Sequence, residues 1–191
     1  MRMPVRVMCV VLAGLAAAGV MAQEAKKQEA AQPAMPMLKP GPEHEILKMD
    51  VGVWDATVEM IIQGASPSTS KAVETNKMLA GLWLVSDFKG EMMNQPFEGH
   101  GVTGYDPNKK KYVGTWVDSM STGLNIGEST YDAATRTVTG TMEGPDDTGK
   151  MMSMRFVTQY KGDNTKTFTM YMKGPDGKEV PTVKINYRRR K

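Results

Sequence analysis

Cysteine is nearly missing from this 191-residue sequence, where Cys9 is the only one. It lies in an apolar run near the N-terminus, and Val7-Met8 before it does not form a lipoprotein cleavage box. A disulfide framework, a thiol nucleophile and a thiolate metal site are excluded for a domain that follows that run. Histidine is almost as scarce, with only His44 and His100. No Gly-x-Ser-x-Gly elbow occurs, so a hydrolytic triad would have to recruit His100. Haem ligation by a histidine on a late strand is not on offer, because none follows His100. Long hydrophobic runs are lacking too. Val7 to Val20 is apolar but short of the roughly 20 residues that span a bilayer.

That run reads as a leader. Arg2 and Arg6 precede it, and Val20-Met21-Ala22 closes it. The pattern predicts a signal peptide over residues 1–22, cut after Ala22, and a secreted or periplasmic protein without stable membrane insertion; an uncleaved anchor is the alternative. Cleavage would remove two arginines and no acid, leaving 22 basic residues against 21 acidic. Four of those basic residues are the final Arg188-Arg189-Arg190-Lys191. A nucleic-acid binder spreads its basic excess over a face of the domain, so no nucleic-acid partner is expected here. The basic end, residues 189–191 in particular, reads as a solvated tail, with weak attachment to an acidic surface as the alternative. Gln23 to Gly41 is rich in Ala, Gln, Lys, Glu and Pro and has no aromatic residue, which makes it a linker that cannot bury enough to order itself. Residues 42–188 remain as one domain with one core, of roughly 150 residues.

The domain opens with a short helix at Pro42, a residue suited to a first helical position. Glu43 and Glu45 complement its start and Lys48 its end. After Val51 the period becomes two. Trp54, Ala56, Val58, Met60 and Ile62 alternate with Asp55, Thr57, Glu59 and Ile61. Met152, Met154, Phe156 and Tyr160 form a second such series, Phe168, Met170 and Met172 a third, and Val183, Ile185 and Tyr187 a fourth. Each predicts a strand with one dry face and one wet face. Leu82 to Val85 and Val113 to Val117 are apolar on both faces, which predicts a cover on their outer side, such as the helix or the linker. Polar turns follow Tyr105, Tyr131 and Tyr160, which are 26 and 29 residues apart, one hairpin each time. No interval has room for a crossover helix, so the strands form an antiparallel meander of about ten. Closure into an up-and-down barrel removes the edges such a meander would expose; a two-sheet sandwich is the alternative. Gly99, Gly101 and Gly104 in one strand suit a sharp bend or a close approach.

Gly52-Val53-Trp54, after a short helix and at the start of the first strand, resembles the Gly-x-Trp opening of lipocalin and calycin barrels. That resemblance implies a Trp packed at the closed end under a basic residue of the last strand, here Arg188 or Arg189. Phe97-Glu98-Gly99-His100-Gly101-Val102-Thr103-Gly104-Tyr105-Asp106-Pro107, then Tyr112 and Trp116-Val117-Asp118-Ser119-Met120-Ser121-Thr122, resembles a family of secreted bacterial proteins known as domain of unknown function 1579. The likeness runs from about Glu43 to Tyr187 and implies an exported all-β, calycin-like barrel. It implies no activity, cofactor or catalytic residue.

The residues themselves offer three functional readings. Of 18 methionines, only Met1, Met3, Met8 and Met21 fall in the leader. The rest supply adaptable apolar walls. Trp54, Trp83, Trp116, Met120, Met154, Phe156 and Met170 are candidate walls for a small hydrophobic or amphipathic ligand, with His100, Asp118 and Glu128 as orienting groups. No cofactor is expected, although soft thioethers with His and Trp would suit Cu(I). A filled barrel serving as an envelope interaction protein, docking through the strands around Leu84 and Val117, is the second reading. A hydrolase using Asp118, Glu128 or His100 is the third, and it requires those groups to converge in one cavity. Oligomeric state is left open.

Overall fold

The computed structural model describes residues 39–191 apart from 147 and 175. The expected leader, its cut after Ala22 and nearly all of the expected linker lie outside the described residues. Helix α1 (Glu43–Lys48) is followed by ten strands: β1 (Gly52–Met60), β2 (Ser68–Leu79), β3 (Trp83–Met92), β4 (Gln95–Asp106), β5 (Lys111–Asp118), β6 (Asn125–Asp132), β7 (Thr137–Pro145), β8 (Met151–Tyr160), β9 (Thr165–Lys173) and β10 (Glu179–Arg189). Each strand pairs antiparallel with the next, and β10 pairs with β1 to close the barrel. Closure satisfies the two edges an open meander would leave. The all-β, up-and-down barrel expected from the alternation is therefore the observed fold.

Register shows why the alternation works. Val58 lies opposite Ile185, and Ala56 opposite Tyr187. Phe156 lies opposite Met170, and Phe168 opposite Ile185. Residues two apart in sequence thus meet equivalent neighbours on the inner face. Two expectations at the strand margins need correction. Ile62 falls beyond β1 and is exposed, because the chain has already turned into the β1–β2 loop. The outer sides of β3 and β5 are also uncovered by described residues: Trp83 and Val117 are both exposed.

Helix α1 goes under the barrel end and not over its outer wall. Leu47 packs with Leu84 and Tyr112, joined by Ile46, Val51, Tyr105 and Tyr131. The Tyr112 hydroxyl donates to the Glu43 carbonyl at 3.0 Å. The repeated Tyr-turn spacing now has a structural meaning. A hairpin returns the chain to the same end, so Tyr105, Tyr131 and Tyr160 all stand at the helix-capped end. The first two pack beside Leu47, and the third donates to Asp50 at 3.0 Å.

The core sits to one side. Trp54, Ala56, Val58, Ala72, Phe88, Phe97, Ile185 and Tyr187 form a close-packed cluster along β10, β1, β2, β3 and β4. Trp54 and Val58 are wholly buried there. Phe156, Phe168 and Met170 across the barrel also point inward by register, yet they are only half-buried. Phe156 and Phe168 stack on each other, and all three border open space inside the barrel.

The end of the chain is tied in. The Arg189 guanidinium lies 4.1 Å from the Trp54 ring centroid and donates to the carbonyls of Val51 and Met49. Arg190 pairs with Asp55. Residues 189 and 190 are thus strand closure, correcting the expectation of a solvated basic tail. Of the two arginines expected over the tryptophan, Arg189 is the one, because it lies directly opposite Trp54 on β10. Gly52 makes this possible: its φ is +120°, and a Cβ there would stand 2.9 Å from the Arg189 guanidinium.

Candidate functional site

Inside the barrel lies a cavity of about 420 Å³. Its walls come mainly from the side opposite the packed core, and small residues make the room. Gly101, Gly114 and Gly127 face inward on three adjacent strands, with Gly114 directly opposite Gly127. Thr103, Ser129 and Thr158 add little bulk. Around this hollow stand Phe88, Trp116, Met142, Phe156, Phe168 and Met170. Phe156 stacks on Phe168 at 6.0 Å, and Phe88 meets the edge of Trp116 at 6.4 Å.

Trp116 owes its position to glycine. A Cβ on Gly99 would come within 2.2 Å of the Trp116 ring, and one on Gly101 within 3.0 Å. The glycine-rich stretch of β4 therefore serves close approach: Trp116 occupies its inner side, and Trp83 covers Gly104 on the outer side. The Trp116 indole N–H donates to Asp118 at 3.0 Å, and the Met120 N–H donates to the other carboxylate oxygen at 2.9 Å. Asp118, Trp116 and Met120 all border the cavity. Met120 is also 54% exposed, so the cavity reaches solvent at the β5–β6 loop.

The opposite end of the cavity is closed by a buried polar cluster. Lys166 is only 5% exposed, and its ammonium contacts Asp50 at 2.7 Å and Glu74 at 3.2 Å. It also lies 4.8 Å and 4.6 Å from the ring centroids of Trp54 and Tyr187. Glu74 accepts further bonds from Asn76 at 2.7 Å and from Tyr187 at 2.9 Å. Burial pushes the Glu74 carboxyl up, but the Lys166 ammonium and the bonds from Asn76 and Tyr187 outweigh it and hold the group below its ordinary value. Burial likewise works against the charged Lys166, yet Asp50 and Glu74 hold its pKa above the ordinary value. Tyr160 and Tyr187 are pushed well up by burial and then by the neighbouring carboxylates, which keeps both as hydroxyl donors. Asn76 Oδ1 is buried and has no donor among the described residues.

The ten residues expected from sequence divide. Trp116, Asp118, Met120, Phe156 and Met170 border the cavity. Trp54 points inward but lies beneath the cavity within the packed core. Met154 shares the inward register of Met142 without reaching the cavity lining. Three placements are corrected. Trp83, His100 and Glu128 face outward, because the inward positions beside them are taken by Leu84, by Gly99 and Gly101, and by Gly127 and Ser129. His100 pairs with Asp87 at 2.8 Å on the outer wall. Glu128 sits between Lys109 and Lys111 at 2.5 and 2.8 Å, and their hydrogen bonds hold its carboxyl down to about 2. His100 and Asp118 border a second pocket between β3, β4 and β5, but Glu128 lies apart with Lys109 and Lys111, so the three groups do not share one cavity.

Sequence reasoning missed Asp50, Glu74, Tyr160, Lys166 and Tyr187 as a unit. One signal was present: Lys166 shares the parity of Phe168 and Met170, and Glu74 that of Ala72. A charged residue on a dry face calls for a buried partner. Among the described residues, no group of three His, Cys, Asp or Glu side chains is placed to hold a metal ion. No described helix is long and apolar enough to cross a membrane.

Comparison with known proteins agrees with the barrel. Residues 39–189 match the model of the family described as Protein of unknown function (DUF1579). No curated protein matches the chain. Among solved structures, Rv2717c from M. tuberculosis is similar at 10% identity with a TM-score of 0.62, over 80% of this chain and 100% of that one. The S-type phycobiliprotein lyase CPES from Guillardia theta is similar at 14% identity with a TM-score of 0.55, over 78% of this chain and 93% of that one. At such identities the likeness is one of fold.

Proposed function

Since this chain belongs to the DUF1579 family, which comes with a barrel and without an assigned activity, we propose from the site itself that it is a binding protein for a small amphipathic molecule. The observation that carries the reading is the hollow interior. A core that could have been filled is instead opened by Gly101, Gly114, Gly127 and Ser129 and walled by aromatic and methionine side chains. Its 420 Å³ lies toward the lower end of the ~300–1,000 Å³ typical of ligand pockets, which favours a small guest. An apolar guest gains roughly 25 cal/mol for each Å² of apolar surface it buries. Met120 at the mouth supplies an adaptable, solvent-reaching edge. A barrel of the same fold serves a phycobiliprotein lyase, which is consistent with a ligand-handling role.

The test is fluorescence titration of the purified chain with N-phenyl-1-naphthylamine. Saturable uptake is expected, and it should vanish in Ser129→Trp, where an indole would occupy the hollow without displacing a packed core residue. A linear, non-saturating response from the unmodified chain would end the proposal.

Export remains part of the reading, supported by Arg2, Arg6, the apolar run and Val20-Met21-Ala22. N-terminal sequencing of the protein recovered from its native host should begin at Gln23.

A further inference from the structure

The cavity is lined by charges mainly of one sign. Asp50, Glu74 and Asp118 border it, and among the described residues Lys166 is the only basic one that does. Lys166 already answers two of these acids. Its ammonium is engaged by two carboxylates and packed against two aromatic rings. The Tyr160 and Tyr187 hydroxyl protons are likewise spent on Asp50 and Glu74. The one basic group at the closed end is thus already paired with Asp50 and Glu74.

Asp118 is different from the other two acids. It receives hydrogen bonds from the neutral Trp116 indole and the Met120 backbone, and among the described residues it has no ion-pair partner. It stands beside the exposed Met120, where a guest's head group could stay partly hydrated while its apolar body enters. Trp116, whose ring borders the same space, offers an aromatic surface that attracts cations. A fatty-acid carboxylate placed here would meet like charge and no cation to answer it.

Resting on the reading of the barrel as a binding protein, we infer that the cavity selects amphiphiles with a cationic head, an amine or a quaternary ammonium, seated at Asp118, and discriminates against fatty-acid anions.

The test uses three ten-carbon competitors below their aggregation concentrations: decyltrimethylammonium, decanol and decanoate. Each is titrated against bound N-phenyl-1-naphthylamine on the full chain. The ammonium should displace the probe at a concentration at least ~10-fold below decanoate, the equivalent of one favourable charge contact. Asp118→Asn should bring the ammonium to the level of decanol measured on the same variant. Because that variant perturbs a hydrogen-bonded turn, the unmodified chain gives an independent reading. Added salt should weaken the ammonium and spare the alcohol. Equal or better displacement by decanoate, an ammonium preference that survives Asp118→Asn in a folded variant or ignores salt, or a bound probe that no competitor displaces would overturn the inference. Failure of the probe itself to bind would instead overturn the binding reading beneath it.

Discussion

Arg189 and Trp54 lie opposite each other across the β1–β10 seam, with the guanidinium 4.1 Å from the indole centroid. This contact locks the strand pair that closes the barrel. The same guanidinium caps the Met49 and Val51 carbonyls, which leave α1 without partners in the sheet. Arg189→Met should cost on the order of 2 kcal/mol, the range for hydrogen bonds to a charged group. Arg189→Lys should recover only a minor part, since a point charge cannot reproduce the planar fork. Urea unfolding of the three proteins checks both.

Lys166 is the key to the polar closed end. Lys166→Met leaves the buried Glu74 and the half-buried Asp50 without their cation and should destabilise by about 3–5 kcal/mol. Adding Glu74→Gln to that variant should restore part of the loss, because one of the stranded charges is gone. A double-mutant cycle by chemical denaturation measures the recovery.

The same cluster sets a pH window. Glu74 is held below its ordinary value of 4.5 in the folded state, so its contribution is present above pH 4.5 and is lost as pH falls through the folded value. Lys166 is held above 10.5, so its contribution is present below pH 10.5 and is lost as pH rises through its folded value. Tyr160 and Tyr187, held above 10.0, add to the alkaline loss. Stability should therefore be broad between about pH 4.5 and 10 and fall on either side. Glu74→Gln should flatten the acid limb while leaving the alkaline limb in place. An unchanged acid limb would show that the exposed carboxylates dominate it.

Gly99→Ala places a methyl group within 2.2 Å of the present Trp116 ring. The indole must swing toward the cavity, which breaks its bond to Asp118. The expected cost is about 1–3 kcal/mol, as for other overpacked sites, together with a shifted tryptophan emission and weaker probe uptake. Thermal unfolding and fluorescence titration read these separately.

His100→Ala and Glu128→Gln should leave probe affinity and the urea midpoint without a resolvable change. Both residues make exposed pairs on the outer wall, where solvent and salt screen the charges. A marked loss of binding in either would contradict their outward placement.

Much of the fold can be read from period-two alternation, because a strand has only two faces and a one-residue slip would turn the whole dry set outward. Trp54 to Met60, Phe168 to Met172 and Val183 to Tyr187 carry that information locally. The inward placement of Phe156 and Met170 followed from it. The method loses its grip where a strand is apolar on both faces or where glycine holds the inner positions. Leu84 and Trp83 are both apolar, so pattern alone does not say which is inside. On β4 the dry face belongs to Gly99 and Gly101, which have no side chain to announce it, and His100 is left outside.

By itself the sequence determined the strands, the turns at Tyr105, Tyr131 and Tyr160, and the antiparallel meander they make, since these depend on neighbours along the chain. Tertiary structure alone decided that the interior is half solid and half hollow, and that Asp50, Glu74 and Lys166 share one buried cluster. Those outcomes depend on which side chains meet across the lumen, and Lys166 and Asp50 lie 116 residues apart. Only closure of β10 on β1 brings such groups within hydrogen-bonding reach, and only there does burial force opposite charges together.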